Sequence, residues 1–229
     1  MGQFIQLRAA DGREISAYEA RPEGQIRGGL VVIQEIFGVN AHIREVADGF
    51  ARDGYAAVAP AMFDRIQPGV ELAYDEADIQ AGIQLKAQAE ALPAPGVQQD
   101  IQAAIEHAAQ IGGGKVGIVG YCWGGLLAWR AAAMLPGLSA AVPYYGGGTT
   151  LPEEMARQPQ VPVLAHYSDC DPHIPLEGVE ALQAAHPQVQ VHIYSAEHGF
   201  NCDHRGAWNE AAARQARERT LAFLAEHLG

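Results

Sequence analysis

The chain is poor in cysteine, short of positive charge and free of long apolar runs, and each shortage excludes a class of protein. Its three cysteines, Cys122, Cys170 and Cys202, cannot all pair within one chain and make no disulfide framework. They imply free thiols in a reducing compartment. Lys and Arg number 15 against 27 Asp and Glu, a formal net charge of −12. A surface that acidic repels phosphate backbones and anionic lipid, so neither nucleic acid nor membrane is an expected partner. No apolar run approaches the roughly 18–20 residues that span a bilayer. The opening MGQFIQLRAADGREI has no basic region leading into an apolar core, so no signal peptide is expected and the expected location is cytoplasmic. Linkers and repeats are absent too. With 229 residues, 48% hydrophobic and 18% charged, the chain reads as one globular domain over 1–229.

What is present is an alternation of strand and helix patterns. Two alternating segments flank Asp11-Gly12, a hairpin signature. Gly28 to Ile33 is a short apolar run of the buried-strand kind. A helix is predicted from about Asn40, its N-cap, to Arg52, followed by a strand over Tyr55 to Ala59. Val70 to Ala91 reads as helix, Pro93 and Pro95 break it, and a second helix runs to about Ile111. Strands are predicted over 115–119, 140–144, 161–167 and 189–194. The last helix, about Gly206 to His227, carries Trp208, Ala212, Ala216, Thr220, Leu224 and Leu228 four apart. Strand runs apolar on both faces, alternating with helices, imply an α/β fold. Its central sheet is mostly parallel, helices cover both faces, and the N-terminal antiparallel hairpin lies at one edge.

The chemistry centres on Gly120-Tyr-Cys-Trp-Gly124, a G-x-C-x-G segment between an apolar strand and an Ala/Leu-rich helix. Its logic is that of a nucleophile elbow: small residues two before and two after the nucleophile let strand and helix approach closely. The Cys122 side chain then stands over a helix N-terminus, whose free N–H groups favour a thiolate and an oxyanion. The plainer alternative is a buried structural cysteine with packing glycines.

Two downstream strand ends supply partners in the order nucleophile, acid, base. One ends in Asp169-Cys-Asp171 and the other in Glu197-His198-Gly. His198 is the candidate base and Asp171 its orienting acid, preferred because Asp-Pro turns the loop back over the strand ends; Asp169 competes for that role. His198, Cys202 and His204, or Asp169, Asp171 and His173, also have spacings open to a metal. Nothing resembles paired C-x-x-C ligands, so neither metal nor cofactor is expected.

Taken together, these residues resemble the dienelactone hydrolase family of the α/β-hydrolase superfamily over nearly the whole chain. The resemblance rests on Gln34-Glu-Ile-Phe-Gly-Val-Asn40, Gly120-Tyr-Cys-Trp-Gly-Gly125, Tyr144-Tyr-Gly-Gly147, Asp169-Cys-Asp171, Glu197-His-Gly-Phe200 and Glu218-Arg-Thr-Leu-Ala-Phe-Leu224. It implies that Cys122 attacks an ester or lactone carbonyl and forms an acyl-thioester. It also implies that the backbone N–H groups of Ile36 and Trp123 form the oxyanion hole, and that Glu35 contacts and tunes the resting thiol. Phe37, Tyr121, Tyr145 and Phe200 suggest an aromatic-lined substrate pocket. The partner implied is a small ester or lactone, with the protein a monomer or small homo-oligomer.

One departure stands out. The founding dienelactone hydrolases hold the substrate carboxylate with two arginines, one four residues after the catalytic histidine and the other in the segment that here follows Arg65. This chain has Cys202 at the first place, with Arg205 three residues further on, and Val70 to Glu90 holds no Arg and only Lys86. The competing functional readings are another cysteine-nucleophile hydrolase, such as an amidotransferase-like domain, and a non-enzymatic small-molecule-binding member of the fold. An amidotransferase places an acid two residues after the histidine, where this chain has Phe200.

Overall fold

The order of elements follows from where apolar runs change their period. In the computed structural model, which describes residues 2–229, β1 (Gln3–Arg8) and β2 (Glu14–Ala20) form an antiparallel hairpin. Its turn depends on Gly12, whose φ of 85° suits glycine. Then come β3 (Gly28–Ile33), α1 (Ala41–Arg52), β4 (Tyr55–Pro60), α2 (Glu76–Glu90) and α3 (Gln98–Gly112). The second half runs β5 (Val116–Tyr121), α4 (Trp123–Met134), β6 (Ala140–Tyr144), α5 (Pro152–Met155), β7 (Leu164–Ser168), α6 (Leu176–Ala185), β8 (Gln190–Tyr194) and α7 (Glu210–Leu228).

One eight-stranded sheet results, ordered β1-β2-β4-β3-β5-β6-β7-β8. Every pairing from β4 onward in that order is parallel, and β2 meets β4 antiparallel. This is an α/β-hydrolase fold. Helices α3 and α4 cover one face, α1 and α7 the other. Central strands β3, β4, β5 and β6 are buried along their whole length, as a sheet covered on both faces requires. Packing is closest at β3: a Cβ on Gly29 would lie 2.3 Å from the Ala108 carbonyl oxygen of α3.

Several boundaries differ from the sequence reading. Helix α2 starts at Glu76 rather than Val70, because the Asp75 side chain caps it by accepting from Asp78 N at 2.9 Å. The preceding residues instead bridge back to the loop after β3, with Leu72 N donating to Phe37 O. Likewise Asn209 caps α7, accepting from Ala212 N at 3.1 Å, which leaves Trp208 outside the helix and 46% exposed. Strand β7 begins only at Leu164; before it, Pro162 offers its carbonyl to Ala141 N but has no N–H for a ladder. The final strand β8 is not apolar on both faces but half exposed, as befits a sheet edge.

Candidate active site

The carboxyl ends of β3, β5, β7 and β8 deliver the predicted residues to one place. Cys122 sits between β5 and α4 with φ 55° and ψ −116°. A residue with a Cβ is held there only by its surroundings. The surroundings are glycines: a Cβ on Gly120 would stand 2.0 Å from Gly124 O, one on Gly124 2.5 Å from the carbonyls of Ile33 and Gln34, and one on Gly125 2.6 Å from Tyr144 O. The Cys122 amide is fixed by Tyr144 O at 3.0 Å.

The loop after β8 carries His198, whose Nδ1 lies 2.6 Å from Asp171 Oδ2 in the loop after β7. The other oxygen of Asp171 accepts from His173 N at 2.8 Å, which fixes the carboxylate. Both side chains are almost wholly buried. Asp169 instead points to Ala196 N at 3.3 Å. Burial opposes a charged imidazole at His198, but it is outweighed by the Cys122 sulfur and by the Asp171 hydrogen bond. The His198 pKa is raised to about 10. Such a histidine beside a cysteine favours a thiolate–imidazolium pair.

Glu35, just past β3, is 1% exposed. Its Oε1 accepts from Arg205 Nη1 at 3.1 Å, while Oε2 has no partner. The Arg205 guanidinium lies against the rings of Phe37 and Tyr74, at 5.7 and 5.8 Å from their centroids. Cys202 stands at the spacing where the resemblance implies an arginine, and the loop after His198 carries Arg205 to Glu35 instead. The signal available was its place in the loop, three residues beyond Cys202. Arg65, by contrast, is committed to Asp100 and Asp11.

Trp123 is the first residue of α4, where backbone N–H groups lack intrahelical acceptors. Its indole is tied down away from the sheet, donating to Glu90 Oε1 at 2.7 Å and stacking on Phe63. Ile36 follows Glu35 and is held from behind by α2, where a Cβ on Gly82 would approach its carbonyl oxygen to 2.4 Å. The four aromatic residues divide. Phe37 packs on Tyr74 and Arg205, and Tyr145 packs edge-on to His198 at 5.1 Å. Tyr121 and Phe200 belong to a buried aromatic cluster with Tyr144. Tyr145 has φ 35°, is fully buried, and its hydroxyl has no partner.

The metal spacings noted in the sequence do not assemble. Cys202 groups with Glu35 and His42 rather than with His198, and His204 groups with His42 and Asp203. Burial, then the Glu35 charge, pushes the Cys202 thiol up to about 12. Cys170 is exposed.

Comparison with known proteins fits this geometry. The model of the dienelactone hydrolase family matches residues 15–228. A carboxymethylenebutenolidase of Pseudomonas putida is 35% identical, covering 96% of this chain and 95% of its own. A Salmonella typhi protein provisionally described as a carboxymethylenebutenolidase is 36% identical, covering 96% of this chain and 86% of its own. Among solved structures, a Klebsiella pneumoniae protein provisionally described as a dienelactone hydrolase superposes with a TM-score of 0.81 at 31% identity, covering 99% of both chains.

Proposed function

The chain belongs to the dienelactone hydrolase family, and from that premise we propose that it hydrolyses carboxylic esters or lactones through Cys122, with His198 as base and Asp171 orienting it. The observation that carries this reading is the 2.6 Å His198–Asp171 hydrogen bond beside a cysteine held on a left-handed elbow.

In the first step His198 takes the thiol proton and Cys122 Sγ bonds to the carbonyl carbon. Charge moves to the carbonyl oxygen, which the backbone N–H groups of Ile36 and Trp123 receive. Collapse breaks the ester C–O bond, and His198 returns its proton to the departing alkoxide. In a lactone that alkoxide stays tethered to the acyl group. Water, deprotonated by His198, then attacks the thioester; the thiolate leaves, is reprotonated, and the acid is released.

Glu35 and Arg205 govern the approach. The Glu35 carboxylate is held by Arg205, so the two charges largely offset one another beside the catalytic loops. A carboxylate on the substrate would compete with Glu35 for Arg205, so an anionic ester or lactone is the favoured class. With only Lys86 between Val70 and Glu90, one cation rather than two receives it.

A panel of lactones and esters, with and without a second carboxylate, tests the reading on the native protein and Cys122→Ala. Turnover should vanish in Cys122→Ala, and Arg205→Met should raise KM selectively for the anionic members. Activity that survives in Cys122→Ala would sink the proposal.

A further inference from the structure

Behind the catalytic loop lies a group of side chains that ester hydrolysis leaves unused. Glu35, His42 and Cys202 bring one donor atom each within 4.8 Å of one another, and all three residues are buried, at 1%, 2% and 0% exposure. They come from three separate places: the loop after β3, the first turn of α1, and the loop after β8. Two of the donors, Glu35 Oε2 and His42 Nε2, have no hydrogen-bond partner. Buried polar atoms are seldom left so without reason.

The electrostatics of the gap are specific. His42 Nδ1 lies 3.3 Å from Asp203 Oδ1, so in the neutral ring Nδ1 holds the hydrogen and Nε2 offers a lone pair. A carboxylate oxygen and a lone pair therefore share one buried space with a sulfur. A water could bridge the two acceptors, but it would make no use of the sulfur. A cation takes all three. Oxygen-preferring magnesium or calcium does not suit a Cys/His/Glu set, whereas zinc does. Bonds of about 2.0–2.3 Å imply donor separations of roughly 3.3–3.8 Å, so closure needs shifts of no more than about 1–1.5 Å.

The surrounding groups fit as well. A carboxylate on the far nitrogen of a ligating histidine, the position of Asp203, fixes its tautomer and strengthens its lone pair. Arg205 occupies Oε1 of Glu35 and leaves Oε2 free. His42 and Asp203 also line a surface cavity of about 590 Å³, so this corner of the site lies next to solvent.

We propose that Glu35, His42 and Cys202 form a buried site for a zinc-class divalent cation. Binding there does not depend on the ester chemistry. Its consequence, neutralisation of the Glu35 charge near the active site, rests on the role proposed for Glu35 above.

Cobalt(II) tests the site directly, because a cobalt–thiolate bond gives a near-ultraviolet charge-transfer band. The experiment uses full-length Cys122→Ala protein, so that the catalytic thiol cannot contribute. One cobalt per chain with that band, displaced by zinc, is expected, and Cys202→Ala added to it should abolish the band. Asp203→Asn changes only a half-exposed carboxylate and should weaken zinc binding about 10–100-fold, read by calorimetry. Two results would overturn the proposal: no band and no zinc uptake in Cys122→Ala, or zinc affinity unchanged by both Cys202→Ala and Asp203→Asn.

Discussion

At Cys122 the backbone is bent into a conformation that costs about 1–3 kcal/mol for a residue with a Cβ. Glycine relieves such strain, although it gives up about 0.5–1 kcal/mol in chain entropy. Cys122→Gly should therefore melt at or above the temperature of Cys122→Ala; a clearly lower melting point would mean that the elbow is not strained. In the proposed triad Asp171 acts on the same site through His198. Asp171→Asn keeps the shape but removes the charge that favours the imidazolium, and kcat should fall by about 10²–10⁴-fold with KM little changed. His198 also makes stability depend on pH. Its folded pKa is raised from 6.5 to about 10, so the folded state binds that proton more tightly than the unfolded chain. This stabilisation is complete below about pH 6.5 and fades as pH rises toward about 10. Melting temperatures measured across that window should decline in the native protein and decline less in His198→Gln. The proposed triad could be put together from sequence because each member ends a strand and the three run in chain order. The sequence favoured Asp171 over Asp169 only through its Asp-Pro turn; the fold adds that Asp171 is the one hydrogen-bonded to His198, while Asp169 accepts from Ala196 N.

Elements locate the active site by how closely their backbones approach. The contact of α4 with the end of β3 depends on Gly124, where a methyl group would overlap the carbonyls of both Ile33 and Gln34. Gly124→Ala should cost about 2 kcal/mol or more of stability, visible in urea unfolding. Gly82 plays a similar part from α2: a methyl group there meets Ile36 O, so Gly82→Ala should cost stability as Gly124→Ala does and also lower kcat in the folded fraction, by displacing the loop proposed to receive the oxyanion. A Gly82→Ala enzyme with native kcat would argue against Ile36 in that role. The elbow glycines were readable because their spacing around Cys122 is itself a pattern. Gly82 was not, for it lies in the middle of a helix whose partner is more than forty residues earlier in the chain. The same limit explains the helix misjudged over 70–75, where an Ala- and Glu-rich composition hid a segment that pairs with the loop after β3.

Across the whole molecule, buried charges join parts that are remote in sequence. Arg65 is 7% exposed and stands between Asp100 of α3, itself buried, and Asp11 in the hairpin turn. It ties the antiparallel edge of the sheet to a helix on its central strands. Arg65→Met would leave Asp100 buried without its cation and should cost about 3–5 kcal/mol, most of it recovered in Arg65→Met/Asp100→Leu. Failure of the double variant to recover would mean that the arginine packs rather than neutralises. At this scale the fold class and the sheet-edge hairpin were legible from the alternation of strand and helix. The Arg205–Glu35 pair, 170 residues apart, was not, because the arginine lies three residues beyond the spacing the resemblance implied and only the fold brings it to Glu35. The central claim, that Cys122 carries the acyl group, is tested most directly by mixing the enzyme with p-nitrophenyl acetate, quenching in acid during the first turnover, and mapping the acetyl group by peptide mass. The account predicts a thioester on the peptide containing Cys122, cleaved by hydroxylamine and absent from Cys122→Ala. Acetyl on another residue, or full turnover in Cys122→Ala, would contradict it.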